Sequence, residues 1–351
     1  MALIQVDAPA GAPWQRPLAG KLDTLYVESE LLAGNPLGDP ARRPLYVYSS
    51  PGVAAGTSKE VPCVFVLQGF TAQLDMWLAH DAFEPNGVER LDAMFAAGDC
   101  PDGIVAFVDA WTSLGGSQFL NSSATGRYLD YICDEVVPFV DARYPTAGRR
   151  EHRGVAGKSS GGYGAMVLPM LRPDLFAGLA SHAGDALFEC CYVPEFRGVA
   201  RSLRDRFEGS YEVFFQRMRA APQFDFHLHG RVIEAYAYAA AYSPDPGRPG
   251  EVELPFEIPT GRLRDDVWAR WLALDPVRMV PLHAEALSGM RRIYLDAGTS
   301  DEAYLDLGAQ AVAAELEGLG IAHTLELFEG RHGGIAHRYP GAIRELMLAL
   351  R

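Results

Sequence analysis

Residues 153–164 read Arg-Gly-Val-Ala-Gly-Lys-Ser-Ser-Gly-Gly-Tyr-Gly, a short strand-like run that passes through Gly157-Lys158-Ser159-Ser160-Gly161 into a helical pattern. G-x-S-x-G at a strand-to-helix junction is a demanding pattern. It calls for a turn so tight that the glycines flanking the serine must lack side chains, and it lifts the serine hydroxyl above the end of a buried strand. A serine hydroxyl becomes a nucleophile only when a base takes its proton, and such a turn leaves room for a base and for backbone N–H donors. Ser159 is therefore the candidate nucleophile. A phosphate-binding loop ending in Gly157-Lys158-Ser159 is the rival reading. Its G-x-x-x-x-G-K-[ST] spacing requires glycine at position 152, which is His152.

The rest of the chain supplies strands and helices in alternation. Continuous apolar runs at 61–67 and 103–108, with no polar alternation, predict strands buried on both faces. Further strands are expected at 153–156, 178–182, 292–296 and 324–328. Segments 22–32 and 44–48, separated by Gly34-Asn35-Pro36, predict an opening antiparallel hairpin. Apolar spacing predicts helices over 130–142, 162–171, 309–319 and 340–350. The pattern predicts an α/β fold: a mainly parallel eight-stranded sheet with helices on both faces. Residues 1–20, rich in Ala, Pro and Gly, are expected to form an N-terminal arm. Residues 21–186 and 290–351 form the core, and 187–289 form a largely helical insert between the sixth and seventh strands. At that position the insert lies at the carboxyl edge of the sheet, where open α/β sheets bind ligands. Its aromatic residues Phe214, Phe215, Tyr236, Tyr238 and Trp268 are read mainly as core, with pocket lining as the other role.

The base and the acid are expected downstream, in the order Ser, Asp or Glu, His. His332 sits in Gly330-Arg331-His332-Gly333-Gly334, after the last strand, and is preferred over His337. Asp301 follows the 292–297 strand and is preferred over Asp296, whose place inside the strand turns it toward sheet packing, and over Glu302. Two backbone N–H groups, from Ser160 and from Phe70 in Leu67-Gln68-Gly69-Phe70-Thr71, are the candidate oxyanion hole.

Bulk properties narrow the partners. A net charge of −14 argues against nucleic acid or an anionic membrane, both of which need a basic surface. The expected partner is a small molecule, with a homo-oligomer left open. The five cysteines form no C-x-x-C pair and imply no disulfide framework, and three lie in apolar contexts; Cys190-Cys191 reads as structural. His227-Leu228-His229 places two imidazoles on one face of an expected strand without a third ligand, so no metal and no cofactor is expected. The beginning of the chain has no basic segment followed by an apolar run, and the expected location is cytoplasmic.

These residues, in this order, resemble the putative-esterase branch of the α/β-hydrolases, which includes esterase D (S-formylglutathione hydrolase), the enterochelin-type esterases and the mycolyltransferases. Besides the elbow, the resemblance is carried by Leu67-Gln68-Gly69-Phe70-Thr71, by Gly115-Gly116-Ser117-Gln118-Phe119 with Asn121-Ser122 and Gly126-Arg127-Tyr128 ahead of Glu135-Val136-Val137-Pro138, and by Phe176-Ala177 through His182-Ala183-Gly184-Asp185. It covers roughly residues 22–185 and 290–350. It implies a serine esterase acting on a carboxylic ester or thioester through an acyl-enzyme, with Ser159, His332 and Asp301 as triad. Acyl transfer by the same residues and a catalytically inactive binding protein are the alternatives. Lys158 stands where the branch usually has His or Leu, Ser160 where it has Met, and the insert is longer than in compact members. The insert therefore bears on which substrate fits. With no export signal expected, the resemblance leans away from the mycolyltransferase end of the branch, whose members are secreted.

Overall fold

The computed structural model describes residues 17–351, so the expected arm at 1–20 lies almost wholly outside the described residues. Eight strands form one sheet: β1 (Lys21–Glu28), β2 (Arg42–Ser49), β3 (Cys63–Leu67), β4 (Ile104–Val108), β5 (Arg153–Lys158), β6 (Gly178–His182), β7 (Arg292–Gly298) and β8 (Thr324–Phe328). Their order is β1-β2-β4-β3-β5-β6-β7-β8. β1 and β2 form the antiparallel hairpin, β2 pairs antiparallel with β4, and every pairing from β4 to β8 is parallel. Parallel strands buried on both sides explain the unbroken apolar runs. Along β3, Cys63, Phe65 and Leu67 enter one core, while Val64 and Val66 enter the other.

One face is covered by α1 (Gly87–Ala96) and by the last helix of the chain, Tyr339–Leu350, through Val88, Leu91, Phe95, Ile343, Leu346 and Leu350. The other is covered by α2 (Ser160–Leu171), by the Tyr128–Asp141 region and by the helix Leu305–Gly318. The helix expected over 130–142 is real but interrupted, with wide π-type turns over Tyr131–Val136. Pro138 is the physical reason. It has no N–H to return to the carbonyl four residues back, and the backbone widens locally to keep its other bonds.

Between β6 and β7 run α3 (Val193–Arg206), α4 (Tyr211–Ala220), α5 (Arg231–Tyr242) and α6 (Asp265–Leu272), with shorter turns between and after them. Phe188, Phe196, Phe214 and Trp271 of this segment belong to the same apolar cluster as β3 and α2. Buried Asp275 ties its two ends together, accepting from the N–H groups of Leu187, Phe188 and Val277. Phe214 and Trp268 are buried core, Phe215 and Tyr236 pack edge to face at 5.0 Å, and only Tyr238 of the five aromatics reaches the cavity over Ser159. The expected strand at His227-Leu228-His229 is instead one helical turn, Phe226–Gly230, because the Asp225 carboxylate accepts from the N–H groups of His227 and Leu228 and caps it.

Candidate active site

β5 ends in the turn that presents Ser159. This residue has φ 58° and ψ −126°, a conformation a side-chain-bearing residue adopts only when its surroundings impose it. They do so through backbone contact. The Ser159 N–H donates to the His182 carbonyl at 3.0 Å, and the Ser159 carbonyl accepts from Tyr163 N–H at 2.9 Å, starting α2. A methyl group on Gly157 would lie 2.2 Å from the Gly161 oxygen, and one on Gly161 would lie 2.4 Å from the Leu67 oxygen. Neither glycine can be replaced without moving backbone, which accounts for the G-x-S-x-G spacing.

His332, in the loop after β8, brings Nε2 to 3.1 Å from Ser159 Oγ. Its Nδ1 lies 2.8 Å from Asp301 Oδ2, in the turn after β7. A carboxylate only accepts, so Nδ1–H donates to Asp301, and Nε2 is left to accept from the serine hydroxyl. Asp301 is buried and held by its own turn, its Oδ1 accepting from Ala303 N–H at 2.8 Å. Glu302 steadies the same loop from outside, accepting from His332 N–H at 3.0 Å and pairing with Arg331.

The two competing residues lie elsewhere. His337 sits at the foot of the last helix, against the Gly334 carbonyl. Asp296, within β7, faces the opposite side of the sheet and is fully buried with His182. His182 Nδ1–H donates to Asp296 Oδ1 at 2.8 Å, while Arg338 Nε–H donates to Oδ2 at 2.6 Å. Burial alone would raise the Asp296 carboxyl, but the bonds from His182 and Arg338 outweigh it and hold it below the usual carboxylate range. Two His–Asp pairs thus stand out among the described residues, one within the sheet at β7 and one in the loops past its carboxyl end, and the second meets the Ser159 hydroxyl.

Phe70 and Ser160 flank Ser159. Ser160 opens α2, where first-turn N–H groups have no acceptor within the helix. Among the described residues no backbone carbonyl accepts from Phe70 N–H, while Thr71 N–H is taken by the Gly115 carbonyl at 2.8 Å. Gly69 brings the loop against the elbow, its side-chain position 3.4 Å from the Lys158 oxygen.

A cavity of about 510 Å³ opens over Ser159 and His332. Aromatic rings in its wall include Phe70 and Trp77 from the core and Tyr192, Phe196 and Tyr238 from the 187–289 segment, and the charged side chains of Glu195, Arg231, Glu234 and Glu302 line it too. Lys158 and Asp185 also line it. Burial lowers the Lys158 amine, against the pull of Asp301 and Asp185. Burial pushes the Asp185 carboxyl up to about 6, opposed by donors from Tyr192 and Gln118. Sequence reasoning quoted Asp185 and Gln118 as parts of longer motifs but gave neither a role, and it passed over Tyr192. Asp185 follows β6 as Asp301 follows β7, and that was the available signal. Burial raises the thiols of Cys63, Cys133 and Cys191, so these thiols are weak nucleophiles. Among the described residues no group of three or more His, Cys, Asp or Glu side chains is placed to hold a metal ion, and no helix is long and apolar enough to cross a membrane.

Solved structures share this fold at low sequence identity. An S-formylglutathione hydrolase from Agrobacterium tumefaciens superposes with a TM-score of 0.59 at 13% identity, covering 96% of this chain and 98% of that one. A fluorophosphonate-binding serine hydrolase of Staphylococcus aureus gives 0.56 at 16%, covering 95% and 99%. A ferulic acid esterase from Anaeromyces mucronatus gives 0.52 at 13%, covering 95% and 92%. No curated protein matches the sequence. The profile of the family described as putative esterase matches residues 46–341, most of the chain and the whole constellation around Ser159, and the chain belongs to that family of carboxylic ester hydrolases on the α/β-hydrolase fold.

Proposed function

We propose that the chain cleaves a carboxylic ester or thioester of a small molecule through an acyl-enzyme on Ser159. Ser159 Oγ attacks the carbonyl carbon as its proton passes to His332 Nε2, and Asp301 holds the imidazole in the required tautomer and stabilises the imidazolium. The oxyanion takes hydrogen bonds from the N–H groups of Phe70 and Ser160. His332 returns the proton to the leaving alcohol or thiol. A water molecule then attacks the acyl-enzyme with His332 again as base, releasing the acid and restoring Ser159.

The observation that carries this reading is the continuous relay Asp301 Oδ2, His332 Nδ1, His332 Nε2, Ser159 Oγ, at 2.8 and 3.1 Å, on a strained turn at the floor of an apolar cavity. No cofactor enters the chemistry. The 187–289 segment is read as a cap that shapes the substrate site, supported by Tyr192, Phe196 and Tyr238 in the cavity wall. Five free thiols fit a reducing compartment, in keeping with a cytoplasmic location.

The test is intact-mass spectrometry after treatment with a fluorophosphonate probe, alongside hydrolysis of short p-nitrophenyl esters. The expected outcome is one adduct on the wild-type chain, none on Ser159→Ala, and a fall in kcat of about 10⁴-fold or more in that variant. A folded wild-type chain that takes up no probe and turns over no ester refutes the proposal. Adding alcohols and measuring the ratio of transfer to hydrolysis products decides whether water is the natural acceptor.

A further inference from the structure

Charge is unevenly spread around the cavity over Ser159. The carboxylates of Asp185, Glu195, Glu234 and Glu302 line it against the cations Lys158 and Arg231. Next to the nucleophile the two signs are interleaved. Lys158 feels the carboxylates of Asp301, Asp185 and Glu302, while Glu302 is paired with Arg331 and Asp301 with His332. The 187–289 segment is different. Arg231, the first residue of α5, has Nη1 3.1 Å from Glu234 Oε2 and Nε 3.4 Å from Glu195 Oε2 on α3. One guanidinium thus serves two carboxylates, and one negative charge is left in excess. The Glu195 carboxylate has no other ion pair or hydrogen bond among the described residues.

This acidic pair lies away from the nucleophile. Glu234 and Tyr242 are eight residues apart on α5, about 12 Å along its axis. The Tyr242 hydroxyl is 3.1 Å from that of Tyr192, which donates to Asp185 Oδ2, and Ser160 Oγ lies 3.5 Å from the same oxygen. Aromatic rings accompany the pair. Phe196 follows Glu195 in the chain, Tyr238 O–H donates to Glu234 Oε1 at 3.0 Å, and Phe226, 64% exposed, lines the cavity from the turn before α5.

We infer that the Glu195–Glu234 end of the cavity receives a quaternary ammonium group carried by the substrate, so that the enzyme selects cationic esters over neutral and anionic ones. The inference rests on the Ser159 reading given above and adds Glu195 and Glu234 to it as specificity-determining residues. Excess negative charge beside aromatic rings holds such a group by Coulomb attraction and through the negative faces of the rings. A primary ammonium fits less well. It brings three N–H donors, and Glu234 already spends one oxygen on Tyr238 and the other on Arg231, whereas a quaternary nitrogen asks for no acceptor. Beside Ser159 the cation would face Lys158 and the His332 imidazolium formed in each turnover. At the far end it faces Arg231, whose charge Glu195 and Glu234 together exceed. The field of the pair extends down the cavity, for the Asp185 carboxyl, raised first by burial, is raised further by Glu234. The chain as a whole carries −14, which draws a cationic ester in and repels an anionic one.

The test measures kcat/KM for acetates of ω-trimethylammonio alcohols and methyl esters of ω-trimethylammonio acids, with spacers of two to eight methylenes. Each is set beside the isostere in which a quaternary carbon replaces the nitrogen, beside its primary-amine counterpart and beside its ω-carboxylate. For at least one spacer the ammonium ester is expected to exceed its carbon isostere by about tenfold in the wild-type enzyme. Raising salt from about 10 mM to about 1 M shrinks that ratio, as the screening length falls from about 30 Å to about 3 Å. Glu195→Gln combined with Glu234→Gln brings it to about one or below. Should the double variant not fold, Glu195→Gln alone, at a half-exposed side chain, lowers it about threefold. Arg231→Gln removes the opposing cation and raises the ratio, a direction that mere loss of packing would not give. A ratio near one for every spacer in a wild-type enzyme that hydrolyses the carbon isosteres overturns the inference. So does a preference that survives the Glu substitutions, or faster turnover of the ω-carboxylates. Faster turnover of the primary amines overturns the choice of a quaternary group. Loss of all ester turnover and of probe labelling in the wild type is a different failure, that of the Ser159 reading itself.

Discussion

Replacing Asp185 by Asn should make the protein more stable at neutral pH, and by an amount that depends on pH. The carboxyl is buried and raised from an ordinary value of 3.8 to about 6. At about 1.4 kcal/mol for each tenfold change in proton affinity, that difference is worth about 3 kcal/mol. The sign follows from proton counts. Between the two values the folded chain holds the Asp185 proton and the unfolded chain has released it, so stability is greatest below about 3.8 and falls as pH rises through 6. The amide introduced by Asp185→Asn does not titrate, and so does not contribute this fall. The melting temperature of the variant minus that of the wild type should therefore climb between pH 4 and pH 8. With an unfolding entropy of roughly 0.7 kcal/mol/K for a chain of this length, the climb is about 4 °C. Tyr192, Gln118 and Ser160 keep an acceptor in the amide side chain, so the comparison isolates the charge. Paired differential scanning fluorimetry across that range measures it. A difference that stays constant with pH would show that Asp185 ionises in the folded chain as it does in the unfolded one, and the reasoning about its burial would fail.

Three other substitutions separate the parts of the design. Gly157→Ala puts a methyl group 2.2 Å from the Gly161 oxygen, and the roughly 1 Å backbone shift this demands should lower both kcat and the fluorophosphonate labelling rate about 100-fold; wild-type labelling kinetics would contradict it. His182→Ala leaves Asp296 Oδ1 without its donor while Arg338 still holds Oδ2, and should cost about 3 kcal/mol in urea unfolding; a loss well under about 1 kcal/mol would mean that water or Arg338 replaces the imidazole. Gly198→Ala lies within α3 with no atom within 4 Å of the added methyl, so it should gain about 1 kcal/mol from helix propensity alone and leave ester turnover unchanged; a lower melting temperature would point to a contact in solution that the fold does not show.

Elements whose signal is local were open to reading from sequence. The strands at 63–67 and 104–108 were, because a strand buried on both faces must be apolar at every position, while the largely exposed β1 was read with β2 from the hairpin pattern around Gly34-Asn35-Pro36. The elbow was legible because a side chain on either of its glycines would collide with a backbone oxygen, of Gly161 in one case and Leu67 in the other. The helix α1 escaped the periodicity reading, since its buried apolar stripe is only Val88, Leu91 and Phe95. The better clue was its capping box, Asn86 with Glu89. The turn at 226–230 was misread as a strand because alternating His227 and His229 mimic a period of two, while the deciding contact comes from Asp225.

The relay and the cluster around Asp185 differ in how far along the chain their partners lie from a recognisable landmark. Asp296 and Asp301 are five residues apart, and the end of β7 falls between them, so position alone separates a carboxylate bonded to His182 within the sheet from one bonded to His332 past the end of the strand. The same logic places Asp185 just past β6, in the wall of the cavity over Ser159. What it cannot supply is the company Asp185 keeps, since Gln118 comes from 67 residues upstream and Tyr242 from 124 residues beyond Gln118. Only packing of the 187–289 segment onto the sheet brings Tyr192 and Tyr242 to that carboxylate. The residues of the proposed relay sit in loops at the ends of core strands, whereas those that hold Asp185 are shared between the core and the 187–289 segment. A change in the 187–289 segment that moved Tyr192 would therefore disturb the bonding of Asp185 while leaving the 3.1 Å contact between His332 and Ser159 in place.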